Sequence, residues 1–107
     1  MTTLATRRTT EDDITNQVVQ RFESTPDPRL REIMQSLVKH LHAFAKEVRL
    51  TEQEWFAGIE FLTAVGKKCS HNRQEFILLS DTLGLSMVTD LINHQGAGSA
   101  TETTVLG

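Results

Sequence analysis

The chain has no tyrosine, one cysteine, two prolines and one tryptophan in 107 residues. Without tyrosine it has no phenolic acid–base group and no phenolate to offer a metal. The lone Cys69 excludes an internal disulfide and a cysteine-based zinc site, and it suits a reducing compartment. No apolar run approaches the roughly 20 residues needed to cross a bilayer, so no membrane span is expected. Residues 1–10 carry Arg7 and Arg8 with no apolar stretch behind them, which is not the pattern of a secretory leader. These features predict a cytoplasmic location. Eleven basic side chains against fourteen acidic ones leave a net charge of −3, the wrong sign for holding a phosphate backbone, so no nucleic-acid partner is expected.

What the chain does have is helical periodicity. Apolar residues make up 38% and charged residues 23%, enough for one small core. Thr10 and Asp13 have capping-box spacing, the first turn is acidic, and Ile14, Val18 and Phe22 follow four apart. Pro26 closes that helix, and Asp27-Pro28 opens a longer one as N-cap and first helical position. Leu30, Ile33, Met34, Leu37, Leu41, Phe44 and Val48 form its stripe over about twenty residues, or roughly 30 Å. Thr51 and Glu54 form a second capping box, with Leu50 as a hydrophobic staple, before a helix carrying Trp55, Phe56, Ile59, Leu62 and Val65. Gly66 is expected to end it in the left-handed conformation. A fourth helix is expected over 72–83, with Phe76, Leu79 and Leu83 inward and Gly84 closing it. Ser86 is expected to cap a short fifth through Met87, Leu91 and Ile92.

The expectation is an all-α fold: a small bundle of about five helices. Residues 1–10 read as a flexible start, 11–94 as the helical region and 95–107 as a linker and extended segment. The tail at 101–107 is the one β-leaning stretch, and a strand needs a partner this chain does not offer, so the ending reads as a cut.

Chemistry-bearing clusters are sparse. His40 and His42 project about 200° apart on a helix and cannot share one ion. His71/Glu75 and Asp90/His94 have i, i+4 spacing, but a cap or a weak charge pair explains two residues near a helix end more simply. Ser80-Asp81 lacks the oriented histidine and oxyanion pocket of a hydrolase triad. Gly84, Gly96 and Gly98 match no phosphate-binding loop. Cys69 follows two lysines that can favour a thiolate, yet a spectator thiol is the simpler account. No catalytic residue and no metal ligand is expected in the chain. Phe56, Ile59 and Phe61 spread apolar surface over more than one helix face, an excess that self-association would bury.

Three stretches, TPDPRLREIM at 25–34, LTEQEWFAGIEFLT at 50–63 and RQEFILLSDTLGLSM at 73–87, resemble the N-terminal helical region of intradiol ring-cleavage dioxygenases. The likeness is greatest to the hydroxyquinol 1,2-dioxygenase branch, with catechol and chlorocatechol 1,2-dioxygenases as relatives. It implies that the tail leads into a catalytic β-sandwich missing from this chain. That domain holds Fe(III) through two tyrosines and two histidines, so this chain alone is expected to be inactive. The resemblance also implies a homodimer built largely from the helices, with an apolar channel that can hold a phospholipid. In the full-length enzyme the substrate is an aromatic diol or triol. By motif position its pocket would be lined by Leu78, Asp81, Val105, Leu106 and Gly107, with Asp81 accepting from an extra ring hydroxyl. Leu106 stands where some relatives carry an aromatic ring. The alternative is a free-standing helical interaction module that binds a protein or lipid through its apolar excess.

Overall fold

The computed structural model describes residues 8–95. It contains five α-helices: α1 (Glu11–Arg21), α2 (Pro28–Val48), α3 (Glu52–Lys67), α4 (Glu75–Thr82) and α5 (Leu85–His94), with a 3₁₀ turn at Phe22–Ser24. Among the described residues there is no strand, so the all-α expectation holds there; the extended segment expected at 101–107 lies outside them. The helices fall into two compact units, one ending at Glu52 and the other beginning at Gln53.

In the first unit α1 packs against α2. The Thr10 hydroxyl accepts from the Asp13 N–H at 3.0 Å, and the Thr10 N–H donates to the Asp13 carboxylate at 3.0 Å, so both orphan donors are satisfied. Pro26 stops the chain after the 3₁₀ turn, and the Asp27 carboxylate then accepts from the Arg29 N–H at 2.9 Å and the Leu30 N–H at 3.3 Å to start α2. Pro28 occupies the first helical turn as expected. At the far end Arg49 adopts the left-handed conformation with φ of 50°. The Leu50 N–H reaches back to the Ala45 carbonyl at 3.1 Å, closing the helix as glycine usually would.

The second unit departs from the sequence expectations at four points. Gly66 does not end α3: the helix runs on to Lys67, and Gly84 is the glycine at positive φ among the described residues. A Cβ added to Gly66 would meet the Phe76 ring at 3.9 Å, so the residue sits in helix beside an aromatic side chain. α4 begins at Glu75 rather than Asn72, because Ser70 and Arg73 exchange two backbone hydrogen bonds and fold that stretch into a turn. Gln74 is the N-cap, its side chain accepting from the Phe76 N–H at 3.2 Å. α5 is preceded by Gly84 with φ of 80°, and Ser86 lies inside the helix rather than capping it. Phe76 and Leu83, both expected to point inward, are 44% and 74% exposed. Leu83 is the C-cap of α4, right-handed and with its N–H still bonded to the Leu79 carbonyl at 3.0 Å, and the chain turns left-handed at Gly84 directly after it, so it sits at the open end of the helix rather than along its packed length.

Burial is thin. Among the described residues Val38 and Val65, one in each unit, are the buried apolar side chains, each 9% exposed. Leu30, Ile33, Leu37, Leu41, Phe44 and Val48 form a continuous exposed apolar stripe along α2.

Candidate functional site

The residues expected to line a pocket that fall within the described region are Leu78 and Asp81; Val105, Leu106 and Gly107 lie outside it. Leu78 and Asp81 sit on α4 three residues apart, which places them on neighbouring positions of one helical face. Both are exposed. Leu78 borders a cleft of about 270 Å³ inside the second unit, whose walls come from Phe61, Ala64 and Val65 of α3 and Leu78, Leu79 and Thr82 of α4. Lys68 and Glu75 stand at the same cleft and give it opposite charges beside an apolar floor. Asp81 is not among its walls.

Several contacts hold α4 in place. The Ser80 and Ser86 hydroxyls meet at 2.7 Å, tying α4 to α5 across the Gly84 junction. The Thr82 hydroxyl donates to the Leu78 carbonyl at 2.9 Å, and the Gly84 N–H donates to the Asp81 carbonyl at 3.1 Å. At the entry to α4, Arg73 pairs with Glu75 at 2.8 Å. The thiol of Cys69 is half-buried and lies 3.4 Å from the Gln74 side-chain oxygen and 3.7 Å from the Val65 carbonyl, which makes it a structural contact of the α3–α4 turn. Sequence reading missed Gln74 as a cap and Lys68 and Glu75 as cleft residues. Glutamine is a poor N-cap by type, and a cleft between two helices has no linear signature.

Three of the four histidines engage different neighbours. His42 turns toward α1, its Nδ1 at 2.7 Å from the Thr15 hydroxyl. His40 turns back on its own helix, with Nδ1 2.9 Å from the Ser36 carbonyl oxygen. His94 pairs with Asp90 at 3.0 Å on the surface of α5. Among the described residues no group of three or more histidine, cysteine, aspartate or glutamate side chains could hold a metal ion. No helix among them is long and apolar enough to cross a membrane.

A family model described as the catechol dioxygenase N terminus matches residues 27–101. The chain belongs to that family. Within it, the chain is 52% identical over 96% of its length to the hydroxyquinol 1,2-dioxygenase of Nocardioides simplex, covering 35% of that protein. It is 54% identical over 91% of its length to the 6-chlorohydroxyquinol 1,2-dioxygenase of Cupriavidus pinatubonensis, again covering 35% of the relative. The crystal structure of hydroxyquinol 1,2-dioxygenase from Pseudomonas putida DLL-E4 matches with a TM-score of 0.82 and 63% identity, over 91% of this chain and 34% of that one. The chain thus spans about a third of the length of the relatives it matches. These likenesses agree with the dioxygenase resemblance read from the sequence and give no support to the free-standing module. The Fe(III) of such dioxygenases is not provided for by the residues of this chain: tyrosine is absent, and His40, His42 and His94 each engage a different neighbour.

Proposed function

We propose that this chain is the helical, pocket-lining and dimerising region of an intradiol aromatic-ring dioxygenase that acts on hydroxyquinol-type triols. The reading is carried by identities of 52–63% to hydroxyquinol-cleaving relatives across more than nine-tenths of the chain. Iron, bound by residues outside this chain, would activate the ring and dioxygen. The part played here is shape and polarity. Leu78 would press on the flat face of the ring through apolar contact, as its place beside an apolar cleft suits it to do. Asp81, one turn on, would accept a hydrogen bond from the third ring hydroxyl, and Val105, Leu106 and Gly107 would complete the wall. Residues 11–94 would form the dimerising helical region and 95–107 the passage toward the catalytic sandwich. The exposed stripe of α2 supports a homodimer, and the same apolar surface suits a phospholipid held where two copies meet. The enzyme would act in the cytoplasm.

The test is Asp81→Asn in a full-length dioxygenase that carries this chain as its N-terminal region. A charge-assisted hydrogen bond is worth about 1.5–3 kcal/mol, so kcat/KM for hydroxyquinol should fall roughly tenfold to a hundredfold. The value for catechol, which lacks the third hydroxyl, should stay within about twofold. Equal losses on both substrates would remove Asp81 from the specificity role. No turnover of either by the unsubstituted full-length protein would overturn the reading itself.

A further inference from the structure

Polar contacts run from one end of the α1–α2 pair to the other, and most of them fall on a regular spacing. Counting along α1 and into the 3₁₀ turn, four of the tied residues, Glu11, Thr15, Val19 and Glu23, lie four apart, which is one stripe of a helix, and Asp12 beside Glu11 is tied as well. The partners of that stripe, on α2 and its C-cap, run the other way and seven apart: Arg49, His42 and Gln35. Arg49 grips the Glu11 carboxylate with both terminal nitrogens, at 2.9 and 3.4 Å. Lys46 meets Asp12 at 2.7 Å beside it. Thr15 meets His42 at 2.7 Å, and the Gln35 amide donates to the Val19 carbonyl and to Glu23, both at 2.9 Å. No side chain of α1 is fully buried.

We propose that α1 is a strap, hinged at the segment holding Pro26 and clasped at its Glu11 end by the two ion pairs to Arg49 and Lys46. The hinge end is fixed by hydrogen bonds of Gln35, which ionic strength hardly touches. The free end is fixed by exposed charges, which salt screens as the Debye length falls from about 10 Å at 0.1 M to about 3 Å at 1 M. Salt or a competing charged partner therefore opens the strap from its N-terminal end while α2 stays helical. Opening uncovers the side of α2 that carries Met34, Val38 and Ala45, now at least half-buried. α2 then presents apolar surface on that flank as well as along its exposed stripe.

Hydrogen exchange measured on the whole chain by mass spectrometry tests it. Raising NaCl from about 0.05 M to 1 M should speed exchange of residues 11–18 roughly two- to tenfold, the range that two surface ion pairs allow. Residues 30–44 should not respond. The double variant Lys46→Gln with Arg49→Gln breaks the clasp from the α2 side and leaves the acidic first turn of α1 intact. It should exchange at low salt as the unsubstituted chain does at high salt, with no further response. Salt-independent exchange of α1 in the unsubstituted chain would overturn the proposal. So would a salt response surviving in the double variant, which would assign the effect to the dipole of α1 alone. Acceleration of α1 and α2 together would overturn it as well, by showing one cooperative unit.

Discussion

Ser80 and Ser86 share a 2.7 Å hydrogen bond across the left-handed Gly84, and through it α4 and α5 are held as one piece. Both serines are half-buried, so losing either leaves its partner short of a hydrogen bond in a place water reaches poorly. Ser80→Ala or Ser86→Ala alone should each cost about 1–2 kcal/mol. The double variant should cost clearly less than their sum, since neither hydroxyl is then stranded. Denaturant unfolding of the four-member cycle measures the coupling, and additive losses would mean the contact contributes nothing in solution.

The glycines give a test of opposite signs. Gly84 has φ of 80° with open space around it, so Gly84→Ala meets no clash and its whole effect is backbone strain, about 1–2 kcal/mol destabilising. Gly58 lies in the interior of α3, and nothing stands within 4 Å of the place an alanine methyl would take. Gly58→Ala should therefore stabilise by about 0.5–1 kcal/mol through helix propensity. Gly66→Ala should follow Gly58 rather than Gly84, because its nearest neighbour, the Phe76 ring, stands at ordinary contact distance. Thermal melts of the three variants read the signs directly.

That third variant marks where sequence reading and structure part. Thr10 with Asp13, and Asp27 with Pro28, were legible because a cap is settled inside a window of three or four residues. Gly66 was not. Its neighbours Lys67 and Lys68 look like the end of a helix, yet its conformation follows from the α3–α4 turn, where Ser70 and Arg73 pair and Phe76 comes to lie beside it. Ser86 was misread for the same reason: its partner is Ser80, on another helix. The candidate site shows the same divide. Leu78 and Asp81 came from motif likeness, whereas the cleft that Leu78 borders with Lys68 and Glu75 depends on two helices meeting and leaves no trace in spacing.

Acid should loosen α1 in a direction fixed by Glu11. The Arg49 guanidinium, first through its hydrogen bonds and then through its charge, holds the Glu11 carboxyl below its ordinary value of 4.5. A carboxylate depressed in the folded state contributes stability that is present above 4.5 and is lost as pH falls through the lowered value. Hydrogen exchange of residues 11–18, corrected for the intrinsic pH dependence, should therefore rise below about pH 4.5 relative to residues 30–44. Glu11→Gln should remove that rise, and a rise that persists in the variant would show that another group controls it.

Self-association should depend on the α2 stripe. Leu37, Leu41 and Phe44 are each about half exposed, at 51–55%, so charged replacements there cost the isolated chain little, yet they interrupt a run of six large apolar side chains. Leu37→Lys with Leu41→Lys should keep helical circular dichroism unchanged and shift sedimentation from dimer to monomer. Trp55, the single tryptophan and 56% exposed, supplies a second readout. If α3 joins the buried surface, its emission should move to shorter wavelength as concentration rises in the unsubstituted chain and stay fixed in the double variant. A dimer that persists with both lysines in place would locate the interface on another face, and a strictly monomeric unsubstituted chain at high concentration would remove the homodimer from the proposed function.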